Sequence, residues 1–161
     1  MITINKIKNH PNVLVEPPNR HGSFHLVCSQ DTLMVIPIGT WSEGCAQRYI
    51  RTTKRLLTEH GVSRFGGLVC LDRWELATPN VLKMLNQFHD FSVQSGMVCE
   101  ALLGSRETDV NVTIVDREVV NKRDGVRVCS DIQAALQLFD EYELTYDQTL
   151  LESVYQHRFE F

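Results

Sequence analysis

The stretch GGLVCLDRWELATPNVLKML, residues 66–85, decides the fold class of this chain. It opens with a continuous apolar run, which is typical of a parallel strand that is buried on both faces. Thr78 and Pro79 then begin a helix, because threonine caps a helix N-terminus and proline fits the first turn. The stretch therefore predicts a buried strand, a polar turn and a helix, which together form the repeating unit of a parallel α/β sheet.

The sequence before this unit predicts an antiparallel β-hairpin followed by a helix. The runs SFHLVCS, 23–29, and TLMVIPIG, 32–39, are rich in β-forming residues and are separated by only two residues. The helix extends from Ser42 to His60, with Ser42 as its N-cap and Gly61 after its end. The hairpin makes the sheet mixed rather than wholly parallel.

The sequence after this unit continues the alternation of strands and helices. Residues 97–104 and 126–129 predict strands, and a helix capped by Ser130 or Asp131 follows them. Residues 107–122 combine β-branched residues with helical spacing, so helix and strand stay open there, with helix favoured. The predicted fold class is α/β, with a mixed, mainly parallel sheet that opens with a β-hairpin and has helices packed on it.

The 161 residues suffice for one domain, and their net charge of −4 is unevenly distributed. Residues 1–139 hold 15 basic and 14 acidic side chains, whereas residues 140–161 hold one basic and six acidic side chains. A near-neutral body gives no reason to expect binding to nucleic acid, because proteins that bind nucleic acid carry a basic excess. We predict an N-terminal extension at 1–21, an α/β domain at 22–142 and an acidic C-terminal tail at 143–161.

The tail contains one more predicted helix, whose Leu150, Leu151 and Val154 are available for docking. The first long helix carries a basic face that is a candidate partner for the tail. This face consists of Arg48, Arg51, Lys54 and Arg55. It is most simply solvated, and alternatively it attracts an acidic partner, an anionic membrane surface or the tail itself. We hypothesise that the tail folds back onto it, in its own chain or in a neighbour, which would give a homo-oligomer.

The five cysteines occur without a CxxC pair, which predicts free, buried thiols and a reducing, cytoplasmic environment. No apolar run approaches the roughly 20 residues that span a bilayer, and the N-terminus lacks the apolar segment of a signal peptide. His21, His25 and Cys28 have a spacing close to that of a metal site, but on a strand Cys28 faces away from both histidines. We therefore expect no transmembrane segment, metal or other cofactor.

Ligands of open α/β sheets bind beyond the carboxyl ends of the strands, next to helix N-termini. The residues at those ends form the candidate binding surface: Trp41, Asp72, Trp74, Glu75, Thr78, Ser105 and Arg106. The two tryptophans form a ligand-facing aromatic surface or cover the edge of the core. Asp72 is a general base, a metal ligand or an acceptor for loop amides, and Thr78 is most simply a helix cap. No catalytic residue is assigned.

The runs VIPIGTW, LDRWELATPNVL and GMVCEALLG carry a resemblance to a known family. Over residues 23–141 the chain resembles small uncharacterised bacterial proteins allied to the STAS-like domains, which include the anti-sigma-factor antagonists. The resemblance implies a mixed sheet with helices on one side, and a binding or regulatory module rather than an enzyme. In the phosphoregulated antagonists, a serine within an Asp-Ser-Ser-Gly pattern begins the second helix. Here only Thr78 offers a comparable hydroxyl and the Ser-Gly is missing, so a kinase-switched exchange of partners is not expected.

These observations predict a non-enzymatic binding or regulatory module that binds a protein partner or a small apolar ligand. The alternative is a small hydrolase or transferase that uses Asp72 with Glu75 or Thr78. A matched set of nucleophile, base and orienting group is not evident for that chemistry. The sequence also lacks the common motifs for nucleotide binding, for serine hydrolases and for zinc peptidases.

Overall fold

The computed structural model describes residues 1–104 and 125–161, which form one mixed sheet with helices packed on both faces. The strands are β1 Val13–Val15, β2 Ser23–Ser29, β3 Thr32–Trp41, β4 Phe65–Cys70, β5 Trp74–Ala77, β6 Met97–Leu103 and β7 Val126–Cys129. The helices are α1 Ile4–Lys8, α2 Glu43–His60, α3 Pro79–Gln94, α4 Ile132–Glu141 and α5 Gln148–Gln156, with a 3₁₀ turn at Leu71–Arg73. The ambiguous region 107–122 lies outside the described residues.

The order of the strands confirms the predicted fold class. The sheet runs β1-β2-β3-β4-β6-β7, and β5 pairs with the far end of β3. β1, β2 and β3 are antiparallel neighbours, whereas β4, β6 and β7 each add to the sheet in parallel. The predicted hairpin is present, and Gln30 in its turn adopts a left-handed φ of 53°.

Helices cover both faces of this sheet. Met34 and Ile36 of β3 belong to a core shared with α1, α4 and α5, whereas Val35 between them belongs to a core shared with α2 and α3. All seven residues of β2 are buried. The expectation of helices on one side, which the resemblance implied, is therefore wrong. The physical reason is that the continuous apolar runs of the central strands leave no polar face for water.

The helix starts predicted from capping residues are confirmed. In each case a side-chain oxygen accepts a hydrogen bond from an N–H of the first turn, which has no partner within the helix. The pairs are Ser42 with Cys45 N at 3.1 Å, Thr78 with Val81 N at 3.2 Å and Asp131 with Ala134 N at 2.8 Å. Gly61 follows α2 with a left-handed φ of 62°, as the sequence predicts.

The terminal segments 1–21 and 143–161 both contribute to the body of the fold, which differs from their description as an extension and a tail. Ile7 of α1 and Leu151 of α5 are fully buried. α5 packs against α1, α4 and β2, in the core on the sheet face opposite α2. The hypothesis that the tail folds onto the basic face of its own α2 is therefore wrong. The apolar side of α5 covers the sheet instead.

The cluster of negative charge near the C-terminus has partners close to it in the structure. Asp147 caps α5 by accepting from Leu150 N at 3.0 Å. Glu141 accepts two hydrogen bonds from Arg127, at 3.1 and 3.0 Å. Acidic residues of this charged region thus cap α5 and form an ion pair between α4 and β7.

The five cysteines are all buried and free, as the sequence predicts. Burial raises the pKa of each of these thiols, for example that of Cys28 to about 11. They therefore pack as small apolar side chains. Across the two described ranges, no helix has the length and apolar character needed to cross a membrane.

His25 on β2 makes the stability of this fold depend on pH. Its side chain is 2% exposed, and Nδ1 accepts a hydrogen bond from Glu16 N at 3.2 Å. Burial, with the charges of Arg73 and Lys8, lowers the pKa of His25 from 6.5 to about 4. The unfolded chain therefore binds this proton more tightly than the folded chain. The stabilisation is complete above pH 6.5 and is lost as the pH falls towards 4.

We expect the free energy of unfolding to fall by on the order of 2 kcal/mol between pH 7 and pH 5 through this one group. Urea unfolding at a series of pH values measures the slope. His25→Gln should reduce the slope, because glutamine does not titrate, whereas His60→Gln on the exposed end of α2 should leave it unchanged. Equal slopes in the wild type and His25→Gln would contradict the assignment.

Candidate functional site

The structure brings together the two predicted tryptophans, Trp41 and Trp74. Their ring centroids lie 5.9 Å apart with an edge-to-face angle of 69°. Both are almost fully buried, at 2% and 7% exposure, and Trp41 Nε1 donates to the carbonyl of Ser23 at 3.0 Å. Trp41 also packs against Phe24 and Tyr49, and both tryptophans belong to the core beneath α2 and α3. The aromatic pair thus faces inward rather than towards solvent.

The segment between β4 and α3, predicted as an open turn, contains the 3₁₀ turn and the additional strand β5. β3 continues past the end of β4, and its residues Gly39 and Trp41 pair with β5. Trp74 and Ala77, which the sequence analysis places in a ligand-binding loop, thus belong to a strand that pairs with β3. The carboxyl end of β3 is therefore closed by a strand.

The three predicted polar residues of this segment have separate partners. Asp72 accepts from Arg158 Nε at 2.7 Å, rather than from loop amides. Glu75 accepts from Thr40 Oγ1 at 3.1 Å, and Thr78 is the α3 cap. Because Asp72 is held in an ion pair, the hydrolase or transferase alternative is not favoured. Ser105 and Arg106, the last two residues of the candidate surface, lie outside the described residues.

A cavity of about 130 Å³ lies between the sheet and the helices α2 and α3. Its floor consists of residues of β3, β4 and β6, and its roof comes from one side of each helix. The apolar lining includes Leu33, Val35, Val69, Leu82, Leu85 and Leu102. Trp41 and Trp74 also line it, so the predicted aromatic pair forms part of its wall.

One part of the cavity lining is polar. It combines Tyr49 and Thr53 of α2, His89 of α3 and Glu100 of β6, which we call the polar cluster. His89 Nδ1 lies 3.5 Å from Glu100 Oε2, without the geometry of a hydrogen bond. Thr53 is 2% exposed, and its side chain interacts with the Tyr49 hydroxyl, whereas His89 is 8% exposed and its Nδ1 has no hydrogen-bond partner. The cluster thus places a buried histidine nitrogen without a hydrogen-bond partner among residues that line the cavity.

The electrostatics of the polar cluster follow from burial and from the Glu100 carboxylate. Burial raises the pKa of Tyr49 well above its usual range, and the charge of Glu100 raises it further. The Tyr49 hydroxyl is therefore a neutral hydrogen-bonding group at physiological pH. Gly67 on β4 lies beside the carboxylate, since a Cβ there would be in van der Waals contact with Glu100 Oε2 at 3.4 Å.

Sequence reasoning missed the polar cluster, although Glu100 gave a signal. It is the one charged residue in the apolar strand MVCEALLG, and a carboxylate on a buried strand is costly unless it has a role. His89 lies beside the apolar stripe of α3, where a histidine is easily taken for a surface residue. Thr53 has no distinguishing signal, because threonine is common on half-buried helices.

The basic face of α2 is partly occupied by contacts within the chain. Arg48 donates to Glu16 Oε1 at 3.0 Å and to the carbonyl of Gly22 at 3.2 Å. The Lys54 ammonium lies 4.2 Å from the centre of the Phe91 ring.

Residues 1–104 and 125–161 contain no group of three or more histidine, cysteine or acidic side chains arranged to bind a metal ion.

Comparison with known proteins supports the fold. No protein-family model matches the chain, and a search of curated proteins also gives no match. Among solved structures, it is similar to an uncharacterised DUF3478 family protein with a SpoIIAA-like fold from Shewanella loihica PV-4. The TM-score is 0.55 at 10% identity, over 76% of this chain and 97% of that one.

A second similar structure is the anti-sigma factor antagonist SpoIIAA in its unphosphorylated form. The TM-score is 0.49 at 12% identity, over 71% of this chain and 96% of that one. On the first of these similarities, the chain has the STAS-like, SpoIIAA-like fold that the sequence resemblance predicts.

Proposed function

We propose that this protein is a binding module for a small, largely apolar ligand, which is held in the cavity beneath α2 and α3. The observation that carries the proposal is the cavity itself, about 130 Å³ in volume with a mainly apolar lining. An engineered protein cavity of about 150 Å³ with such a lining binds benzene. A ligand of about one ring would therefore fit without rearrangement of the sheet.

The composition of the lining also supports ligand binding. Ligand pockets are usually apolar with a few convergent polar groups that orient the ligand, and the polar cluster supplies such groups. Tyr49, Leu82 and Leu85 on the helical side are half-buried, so this wall borders solvent. A ligand would enter between the two helices, because the opposite wall is the central sheet.

The protein partner, the regulatory role and the homo-oligomer stay predictions. Fold similarity at 10% identity carries no information about partners. The candidate surface enters the proposal through Trp41 and Trp74, which line the cavity. Asp72, Glu75 and Thr78 have no part in it.

We expect toluene to bind the protein and to raise its free energy of unfolding by about 1–2 kcal/mol near saturation, because the ligand binds only the folded state. Val69→Phe should weaken binding at least tenfold, since the larger side chain occupies the cavity floor. Val93→Phe is the matched control, because Val93 is 48% exposed on α3. Titration calorimetry and thermal unfolding measure both effects.

The chain's own fluorescence gives a second readout of toluene binding. Its two tryptophans, Trp41 and Trp74, both line the cavity, so an occupied cavity should change the emission. Equal toluene affinity in Val69→Phe and the wild type would place the ligand elsewhere. The absence of toluene binding to the wild type would overturn the proposed function.

A further inference from the structure

The proposed function leaves the polar cluster unexplained, because a wholly apolar ligand would not contact its polar atoms favourably. His89 is more than nine-tenths buried, and its Nδ1 lacks a hydrogen-bond partner, while the buried Thr53 side chain contacts only the neighbouring Tyr49 hydroxyl of the cluster. Buried polar atoms of native proteins are nearly always paired, so such exceptions require an explanation. Both residues line the same cavity, and they come from different helices.

We propose that the polar cluster binds the hydroxyl group of a small neutral ligand, of which a single-ring phenol is the simplest example. This inference rests on the proposed function, because the apolar part of the ligand occupies the rest of the cavity. A hydroxyl group both donates one hydrogen bond and accepts others. It therefore matches the Glu100 carboxylate, which accepts, together with Thr53 and Tyr49, which can donate. His89 matches either role, according to its tautomer.

The charge of Glu100 selects against an anionic ligand. A carboxylate bound at the cluster would lie beside Glu100 in an environment of low dielectric, where like charges repel strongly. His89, 3.5 Å from Glu100, is already placed beside that carboxylate. An ammonium group would be attracted to Glu100 but would lose its hydration in a cavity that is otherwise apolar. A neutral hydroxyl group avoids both costs.

Toluene, p-cresol and p-toluate test this inference, because they share one ring and one methyl group and differ in hydrogen, hydroxyl and carboxylate. We expect p-cresol to bind the full chain about tenfold more tightly than toluene, and at least tenfold more tightly than p-toluate, in titrations at pH 7. If toluene binds at least as tightly as p-cresol, the inference fails while the proposed function stands. Tighter binding of p-toluate would also overturn it. If none of the three binds, the proposed function fails as well.

Two isosteric variants test whether the preference for p-cresol depends on the polar cluster. Thr53→Val should reduce the preference for p-cresol over toluene several-fold, because only a hydroxyl group is lost. Thr58→Val, on the exposed side of the same helix, is its control. Glu100→Gln should improve p-toluate binding about tenfold, because it removes the charge. Glu59→Gln, with a side chain 58% exposed, is the matched control. Unchanged selectivity in both cluster variants would overturn the inference.

Discussion

Deletion of residues 143–161 is expected to abolish cooperative unfolding, because this segment supplies part of a hydrophobic core. Leu150, Leu151 and Val154 of α5 are each at most 1% exposed. Truncating a single buried leucine to alanine costs about 2–5 kcal/mol, whereas a whole domain is stabilised by about 5–15 kcal/mol. Removing all three side chains together therefore eliminates most or all of the net stability.

Urea unfolding followed by far-ultraviolet circular dichroism measures this effect. Leu151→Ala provides a graded version and should lower the free energy of unfolding by about 3 kcal/mol. Glu143→Gln is the control for charge, because Glu143 is exposed, and it should change stability by less than about 0.5 kcal/mol. A deleted chain with an unchanged unfolding midpoint would show that the segment is an independent tail.

Contacts with the turn after β4 also fix the C-terminal segment. Besides the ion pair of Arg158 with Asp72, Arg73 donates to the carbonyl of Arg158 at 2.9 Å. The Arg158 guanidinium lies 3.9 Å from the centre of the Tyr155 ring. Asp72 and Arg73, two of the three charges that make LDRWELATP look like a reactive site, thus attach the C-terminal segment to the turn after β4.

The order of the elements could be predicted because it depends on local signals. Ser42, Thr78 and Asp131 mark helix starts through hydrogen bonds to the following turn, and these bonds form whatever the rest of the chain does. The position of α5 depends on distant residues instead. Its apolar stripe predicts that one side is buried, but periodicity does not say which surface that side covers. The negative charge of the C-terminal segment suggested that it packs against the basic face of α2. In the structure α5 packs against the sheet instead, because its apolar residues are buried there.

Only part of the candidate site could be predicted, again because the sequence reports local structure better than contacts between distant residues. Trp41 ends β3 and Trp74 comes shortly after the end of β4, and these two strands are parallel neighbours, so topology alone places the tryptophans together. Thr53, His89 and Glu100 are far apart in the sequence and line one cavity only when α2 and α3 pack side by side on the sheet. Each is unremarkable within its own element, except for a carboxylate on a buried strand. Polar groups that assemble across three elements require the tertiary packing to be known.

The two adjacent glycines of β4 should respond very differently to alanine, because they face opposite sides of the sheet. A Cβ at Gly66 would lie 2.6 Å from Leu144 Cδ1 and 2.8 Å from Phe139 Cε1. Phe139 is fully buried and cannot move aside, so Gly66→Ala should lower the free energy of unfolding by about 3 kcal/mol. Urea unfolding measures the loss, and a stability change below about 1 kcal/mol would contradict this packing.

Gly67→Ala should act on the ligand rather than on the fold. Its Cβ would lie 3.2 Å from Met97 Sδ, a flexible atom that can yield, and 3.4 Å from Glu100 Oε2. We expect a stability change below about 1 kcal/mol, because a small shift of methionine relieves the contact. The same methyl group comes into van der Waals contact with the Glu100 carboxylate and takes up space beside it in the polar cluster, so p-cresol affinity should fall several-fold while toluene binding changes less. An unchanged p-cresol affinity in Gly67→Ala would contradict a role of the Glu100 carboxylate in ligand recognition. Gly67 would then have only a packing role.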